Sequence, residues 1–189
     1  RKKQTSLSLY DPMTSTTPRT LNIQLQITFR LAVKDDLPKL EWGGEYKHFR
    51  RVFQRTYEEQ LAGERLMLLA ICNDYPIGQV FMQLESWDRM FWDFRKRGYF
   101  YSVRVMEAFR GMGLGTAILH EAEQVLIERD YHSVSIAAAH TNTGARRLYE
   151  RNGYRVVAED SGRWSYVDHE GRTQQVNEPC WILEKTLRP

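Results

Sequence analysis

A glycine-rich turn between a predicted strand and a predicted helix constrains this chain more than any other feature of its sequence. The turn consists of Arg110-Gly111-Met112-Gly113-Leu114-Gly115-Thr116. Glycines let the backbone approach a ligand closely and present successive amide hydrogens. The helix that follows adds the positive end of its dipole, and Arg110 can add a charge-assisted hydrogen bond. The turn therefore predicts a site for a phosphate or diphosphate group.

Three other interpretations of this turn are weaker. A dinucleotide-binding fingerprint would need glycine where Thr116 stands, and an acidic residue after the next strand, where the chain has His140. A Walker loop would end in Gly-Lys-Ser/Thr, which the stretch lacks. A turn without a ligand would carry three destabilising glycines for no reason. A bound anion accounts for the glycines best.

Hydrophobic periodicity predicts strands interleaved with helices. Apolar residues alternate strictly from Leu21 to Val33, as in a half-buried strand. Asp35 and Asp36, followed by Leu37-Pro38, mark a helix start. The other predicted strands are Arg65–Cys72, Ile77–Leu84, Tyr99–Met106, Ser133–Ala139, Tyr154–Ala158, Arg163–Val167 and Cys180–Leu183. The other predicted helices are Glu45–Ala62, Gly113–Arg129 and Thr143–Arg151.

This order of elements predicts one α/β domain over residues 21–189. We expect a mixed, partly antiparallel sheet of six to seven strands flanked by helices, with antiparallel pairs first and parallel strands in the second half. Asp168–Gly171 is predicted to be a turn between two of the last strands. Residues 1–20 are rich in Ser, Thr and Pro and are expected to form an N-terminal tail.

Composition excludes several classes of function. The 27 basic and 24 acidic residues give a net charge of +3, and the basic patches are short, so we expect no nucleic-acid partner. Cys72 and Cys180 lie in apolar runs without zinc-site spacing, so we expect no metal. No run approaches the roughly 20 apolar residues that span a bilayer, and the first residues lack an apolar signal region. We expect a cytoplasmic protein with no membrane partner.

A second motif lies one helix and one strand beyond the glycine turn. It consists of Asn142, Ala145, Leu148, Tyr149, Gly153 and Tyr154. Together with the spacing Arg110-x-x-Gly113-x-Gly115, it resembles the two linked motifs of the GNAT acetyltransferase superfamily. The resemblance implies a GNAT-like acyl-CoA N-acyltransferase fold, with acetyl-CoA as the cosubstrate.

The resemblance also implies roles for individual positions. In this family the strand before the turn and the next strand splay apart, and their unpaired edges receive the pantetheine arm. Tyr149 is similar to the family tyrosine that protonates the departing thiolate; packing on the core face is its alternative role. Asn142 either contacts the pantetheine arm or caps the helix, and the two roles are compatible. The residues implied to bind the cofactor are Val103, Arg104, Val105, Arg110, Gly111, Met112, Gly113, Leu114, Gly115, Thr116, Asn142 and Tyr149.

The implied reaction is direct transfer of the acetyl group to a primary amine. A neutral amine attacks the thioester carbonyl, and a backbone amide of the Val103–Met106 strand stabilises the oxyanion. A carboxylate or a water chain must first take a proton from the amine. The candidate catalytic residues are Tyr149, Glu85 and Glu107, with Glu41 and Glu45 as further candidates for the base.

The acceptor is predicted only as a class. Glu41, Glu45 and Glu85, with Trp42 and Trp87, would suit a cationic amine, either a small molecule or a peptide or protein amine. A non-catalytic acyl-CoA sensor is the alternative function.

Two further stretches leave alternatives open. Leu148–Tyr154 resembles ribosomal-protein alanine acetyltransferases, but Ala137 stands where those enzymes carry a glutamate, which separates this chain from their specific activity. The aromatic stretch Trp87–Phe94 is open to three interpretations, namely a lid over the acceptor, a contact in a homodimer, or a packed loop.

Overall fold

The computed structural model of the protein describes residues 24–84 and 96–187. The α-helices are α1 (Arg50–Leu61), α2 (Leu114–Ile127) and α3 (Thr143–Arg151). Short 3-10 segments occur at Lys34–Gly44, Lys47–Phe49 and Glu107–Phe109. The strands are β1 (Thr28–Leu31), β2 (Arg65–Cys72), β3 (Tyr75–Gln83), β4 (Arg97–Val105), β5 (Ser133–Ala139), β6 (Arg155–Asp160), β7 (Arg163–Val167), β8 (Thr173–Asn177) and β9 (Cys180–Thr186).

Within the described residues, seven strands form one sheet in the order β1-β2-β3-β4-β5-β9-β6, and β7 pairs with β8 in a separate hairpin. The predicted mixed α/β fold with a partly antiparallel sheet of six to seven strands is confirmed. We expected parallel strands in the second half of the sheet. Within the described residues, β4 and β5 form the one parallel pair. Strand β9 returns between β5 and β6 and is antiparallel to both.

Helices cover both faces of the sheet. Strand β2 is a continuous apolar run because alternate residues are buried on opposite faces. Leu68 packs in the cluster that contains the buried residues of α2 and Tyr149 of α3, whereas Leu69 packs with Phe53 of α1. The two faces are therefore an α2–α3 face and an α1 face. Side chains on opposite faces can meet only where the sheet opens.

The largest departures from the sequence prediction are two later starts and one missed strand, whereas the bounds of β3, β4, β6, β9 and α2 differ by one to three residues. Strand β1 begins at Thr28, and residues 21–23 of the predicted strand lie outside the described residues. Helix α1 begins at Arg50 because the backbone before it is irregular, with positive φ angles of 43° at Trp42 and 68° at Gly43. Strand β8 was missed because its residues, Thr-Gln-Gln-Val-Asn, lack apolar alternation.

The predicted Asp168–Gly171 turn connects β7 to β8 and is organised by a buried carboxylate. Asp168 accepts backbone hydrogen bonds from Glu170 and Arg172, both at 2.9 Å, and a side-chain hydrogen bond from Gln174 at 2.7 Å. These bonds favour the charged form, and the amide of Arg172 contributes most, so the pKa of Asp168 lies well below its ordinary value of 3.8. This turn fixes the hairpin, whose first strand borders the cavity described below.

We expect Asp168→Asn to weaken this hairpin and to flatten the acid dependence of stability. A carboxyl whose pKa is lowered on folding stabilises the protein fully above its ordinary pKa, and the contribution disappears as the pH falls toward the folded value. Wild-type stability should therefore decline below about pH 4, and the variant should show a smaller decline. Urea unfolding at pH 3, 5 and 7 measures both, with Glu121→Gln on the exposed side of α2 as the control. Parallel pH curves for wild type and Asp168→Asn would contradict this assignment.

Candidate functional site

Strands β4 and β5 separate part-way along their length. They are paired from Arg97–Ser133 to Phe100–Ile136, but β4 continues to Val105 and β5 continues to Ala139 without further pairing between them. Each strand is held on its other side, β4 by β3 and β5 by β9. The result is a wedge-shaped opening in the middle of the sheet, as the family resemblance implied.

A bulge in β4 decides which side chains face which side of the wedge. The register between β3 and β4 shifts there, and Ser102 has a φ of 51°. The buried side chain of Gln79 donates a hydrogen bond to the Ser102 carbonyl at 3.2 Å. Because the extra residue reverses the alternation, Val103 and Val105 pack toward the α2–α3 face and Arg104 points to the α1 face.

The glycine-rich turn follows β4 directly. Gly111 and Gly113 have φ angles of 78° and 83°, which side chains with a Cβ rarely adopt. Among the described residues, apart from chain neighbours, no atom lies within 4 Å of the place that a Cβ would take at either position. The turn therefore combines a left-handed backbone with open space in front of it. Arg110 donates from Nε to the Val105 carbonyl at 3.1 Å and ties the turn to the end of β4.

Helix α2 begins immediately after Gly113. The first amides of a helix have no carbonyl partner within the helix, so this end offers hydrogen-bond donors and a positive dipole end. Gly115 lies where α2 meets α3, since a Cβ there would be 3.1 Å from Leu148. The third glycine thus serves helix packing.

Helix α3 carries the second motif. Asn142 caps the helix, and its side-chain oxygen accepts a hydrogen bond from the Ala145 amide at 3.0 Å. Tyr149 is only 4% exposed, and burial, with a smaller contribution from Tyr99, raises the pKa of its hydroxyl. A phenol in this environment stays protonated at neutral pH. The neighbouring Tyr154 differs because its hydroxyl donates to Glu123 at 2.9 Å.

A cavity of about 920 Å³ occupies the wedge and reaches both faces of the sheet. Asn142 and Tyr149 line it from the α2–α3 face, and Phe49 and Trp164 line it from the α1 face. Of the predicted cofactor residues, the structure brings four together in the cavity wall, namely Val103, Arg104, Asn142 and Tyr149. The glycine turn lies beyond the end of β4, outside this wall.

The predicted bases are not gathered at this cavity. Glu107 is exposed in the 3-10 turn after β4 and does not line the cavity. Glu41 is held by Arg50 through two hydrogen bonds of 2.5 and 2.9 Å, and this contact lowers its pKa. Glu45 is exposed, and Glu85 lies outside the described residues, as does the aromatic stretch 87–94. The general base remains a prediction.

An aromatic wall on the α1 face was not expected from the sequence. Trp164 and Tyr166 of β7 have ring centroids 5.4 Å apart, and Tyr166 lies 4.8 Å from Phe49. Strand β7 was predicted, but its packing over the start of α1 was not. Such a contact joins segments more than 100 residues apart and leaves no local signal.

The mixed sheet, the opening between its two parallel strands and the glycine turn before α2 together define a GNAT fold. A sequence model described as the acetyltransferase (GNAT) family matches residues 34–154, so the chain belongs to this family. It is thus an acyl-CoA-dependent acetyltransferase with acetyl-CoA as its cosubstrate. A search of curated proteins found no match.

Solved structures share this fold at low sequence identity. Arabidopsis thaliana NAA60 in complex with acetyl-CoA has a TM-score of 0.67 at 20% identity, covering 85% of this chain and 98% of that one. The Escherichia coli ribosomal-protein-S18-alanine N-acetyltransferase has a TM-score of 0.64 at 16% identity, covering 87% and 96%. The Brucella melitensis ribosomal-protein-alanine N-acetyltransferase has a TM-score of 0.61 at 19% identity, covering 84% and 99%. In the described part of the chain, no helix has both the length and the apolar character to span a membrane.

Proposed function

We propose that this protein transfers the acetyl group of acetyl-CoA directly to a primary amine, and that residues 21–189 form the transferase domain. One observation carries the proposal. The wedge between β4 and β5 connects the α2–α3 face, which holds Tyr149, with the α1 face, where other residues line the same cavity. A cosubstrate and an acceptor could meet there from opposite sides of the sheet.

The chain's own groups suit coenzyme A. Backbone groups of Val103 and Val105 lie on the edge of β4 that β5 leaves unpaired, which allows an extended pantetheine arm to add as a strand. The open space at Gly111 and Gly113 and the first amides of α2 suit a diphosphate. The Asn142 side-chain oxygen is engaged in the helix cap, which leaves its amide nitrogen for the arm. These donors support binding at Arg110–Thr116, as the sequence predicted.

Acetyl-CoA supplies an activated thioester, and the chain must position it and manage two protons. The edge of β4 offers a backbone amide to the developing oxyanion. Tyr149 holds its proton near the α2–α3 side of the wedge and can give it to the leaving thiolate. The amine loses its proton on the α1 side, through a carboxylate or bound water.

The structural relatives suggest which amines to test first. Two of them are named as ribosomal-protein N-acetyltransferases, and one as a ribosomal L7/L12 alpha-N-protein acetyltransferase. Peptide N-termini therefore belong in an acceptor panel beside polyamines, amino acids and aminoglycosides. The cationic acceptor predicted from Glu41, Glu45 and Glu85 is one arm of the same panel.

Calorimetry with acetyl-CoA, followed by a thiol-release assay across that panel, tests the proposal. We expect saturable binding of acetyl-CoA and acceptor-dependent release of CoA, with the acetylated product identified by mass. Saturable binding without turnover of any amine would instead favour the acyl-CoA sensor. Absence of binding would contradict both functions.

A further inference from the structure

We propose that the amine acceptor also carries a carboxylate, and that Arg104 and Tyr101 bind this group on the α1 face of the wedge. The inference rests on the proposed transferase function and names the chemical class of its acceptor. Its basis is a pair of polar atoms in the cavity wall that have no hydrogen-bond partner among the described residues.

Arg104 is the first of these groups. Its guanidinium lies over the rings of Tyr46 and Phe49, at 4.4 and 4.9 Å from their centroids. Its Nη1 atom is fully buried, and no hydrogen-bond acceptor for it occurs among the described residues. Ring stacking holds the guanidinium in place but does not replace the hydrogen bonds that a buried cationic donor requires. An anion entering the cavity would supply them.

Tyr101 is the second group. Its hydroxyl is also buried and without a hydrogen-bond partner in the described part of the chain. Its ring is fixed edge-on by Phe81 at 5.6 Å and lies parallel to Tyr99 at 6.1 Å. Tyr101 and Arg104 line the same cavity, so a rigid hydroxyl and a rigid guanidinium both border the acceptor space.

The β4 bulge brings these two residues to one face. Tyr101 pairs with Phe81 and Arg104 pairs with Gln79, two positions along β3, so their Cα atoms are about 7 Å apart. Both side chains therefore extend from the same face of β4 into the same cavity, and arginine forms its best hydrogen bonds with planar carboxylates. A carboxylate is the planar anion that free amino acids and acidic peptides carry close to an amino group.

Arg104 differs from two other cations of this wall in its partners. Arg65 is paired with Glu59 at 2.8 Å, and Arg97 is paired with Glu184 at 3.0 Å. The Nη1 atom of Arg104 has no such bond in the described residues, and the exposed Glu45 interacts with the guanidinium only electrostatically. Glu159, Asp160 and Glu178 line the same cavity, so the preference for an anion belongs to the space beside Arg104. The acceptor is then a zwitterion, with the aromatic wall of Phe49, Trp164 and Tyr166 beside its apolar part.

Matched acceptors test this inference, because a carboxylate and its amide have nearly the same shape but differ in charge; kcat/KM is calculated for the neutral amine, since the amide makes the neighbouring amine less basic. The first pair is phenylalanine and phenylalaninamide, which represents a free amino acid. The second pair is the peptides Ala-Glu-Phe-amide and Ala-Gln-Phe-amide, which represents an acidic side chain near an N-terminus. For the pair that resembles the natural acceptor, we expect the wild-type kcat/KM to be roughly 10- to 100-fold higher for the carboxylate than for the amide.

Variants then assign the preference to the two residues. Arg104→Gln should bring the ratio of kcat/KM values close to one, and Tyr101→Phe should reduce it. Arg129→Gln is the control, because it also removes one positive charge but lies exposed at the far end of α2. The ratio should not change in that variant.

The outcomes separate this inference from the proposed function. Acetylation of both members of each pair at equal rates would overturn the inference and leave the transferase function intact, as would a preference that persists in Arg104→Gln. Titration with the acetylated products of both pairs measures the preference without turnover. Equal affinity for the two members of both pairs, or no binding of any product, would also overturn it, whereas tighter binding of the carboxylate member of either pair would support it even in a protein that acetylated none of the acceptors.

Discussion

Tyr149→Phe is expected to lower kcat by about 100-fold and to leave the KM for acetyl-CoA nearly unchanged, since general acids contribute factors of this size. The substitution removes one hydroxyl from a ring that stays buried in the same packing. The leaving thiolate would then take its proton from water, which reaches the α2–α3 side of the wedge poorly. Because burial raises the pKa of Tyr149, loss of this proton should not limit the wild-type rate below about pH 10.

The neighbouring Tyr154 provides a matched control. Its ring centroid is 6.1 Å from that of Tyr149, it is just as buried, and its hydroxyl donates to Glu123. Tyr154→Phe should destabilise the fold by about 1–3 kcal/mol, because it removes a hydrogen bond to a buried carboxylate, but should leave kcat intact. Urea unfolding measures the loss of stability, and steady-state assays of CoA release measure kcat. If both variants lost stability and neither lost kcat, Tyr149 would be a packing residue.

Local patterns predicted much of the fold. The bounds of β2, β5, β7 and α3 are those that periodicity predicted, because long apolar runs and the Asn142 cap leave clear local signals. The order of strands could not be predicted in the same way. Strand β9 lies between β5 and β6, and that choice depends on contacts between distant segments, which alternation along one strand does not encode.

The same distinction between local patterns and contacts of distant segments applies to the candidate site. The glycine turn and the Asn142–Tyr154 motif were visible because their residue types are required by local backbone conformation and capping. The direction of the Arg104 side chain could not be predicted, because it follows from a bulge at Ser102. Serine rarely adopts a positive φ, so the sequence gives no sign of this bulge. Regular alternation would have placed Arg104 on the α2–α3 face. The cationic acceptor inferred from Glu41, Glu45 and Glu85 stays a prediction, and neither Glu41 nor Glu45 is among the residues that line the cavity.

Gly113→Val is expected to raise the Kd for acetyl-CoA by at least about 100-fold, because two charge-assisted hydrogen bonds would be lost. At a φ of 83°, a β-branched residue is strained, and its side chain would fill the open space in front of the first amides of α2. A diphosphate could then no longer approach those amides. Calorimetry with acetyl-CoA and with 3′,5′-ADP, which lacks both the pantetheine arm and the diphosphate, would show whether the loss is specific to the diphosphate.

Gly63→Val separates the loss of binding from backbone strain. Gly63 lies in the turn between α1 and β2, has a φ of 81°, and also has no atom within 4 Å of the place that a Cβ would take. Strain should therefore cost each variant a similar amount, about 1–2 kcal/mol, since the two backbones are alike. Only Gly113→Val should lose affinity for acetyl-CoA, because only that side chain would occupy the space before a helix start. Equal stability losses with unchanged affinity in both variants would contradict binding of the diphosphate at Arg110–Thr116.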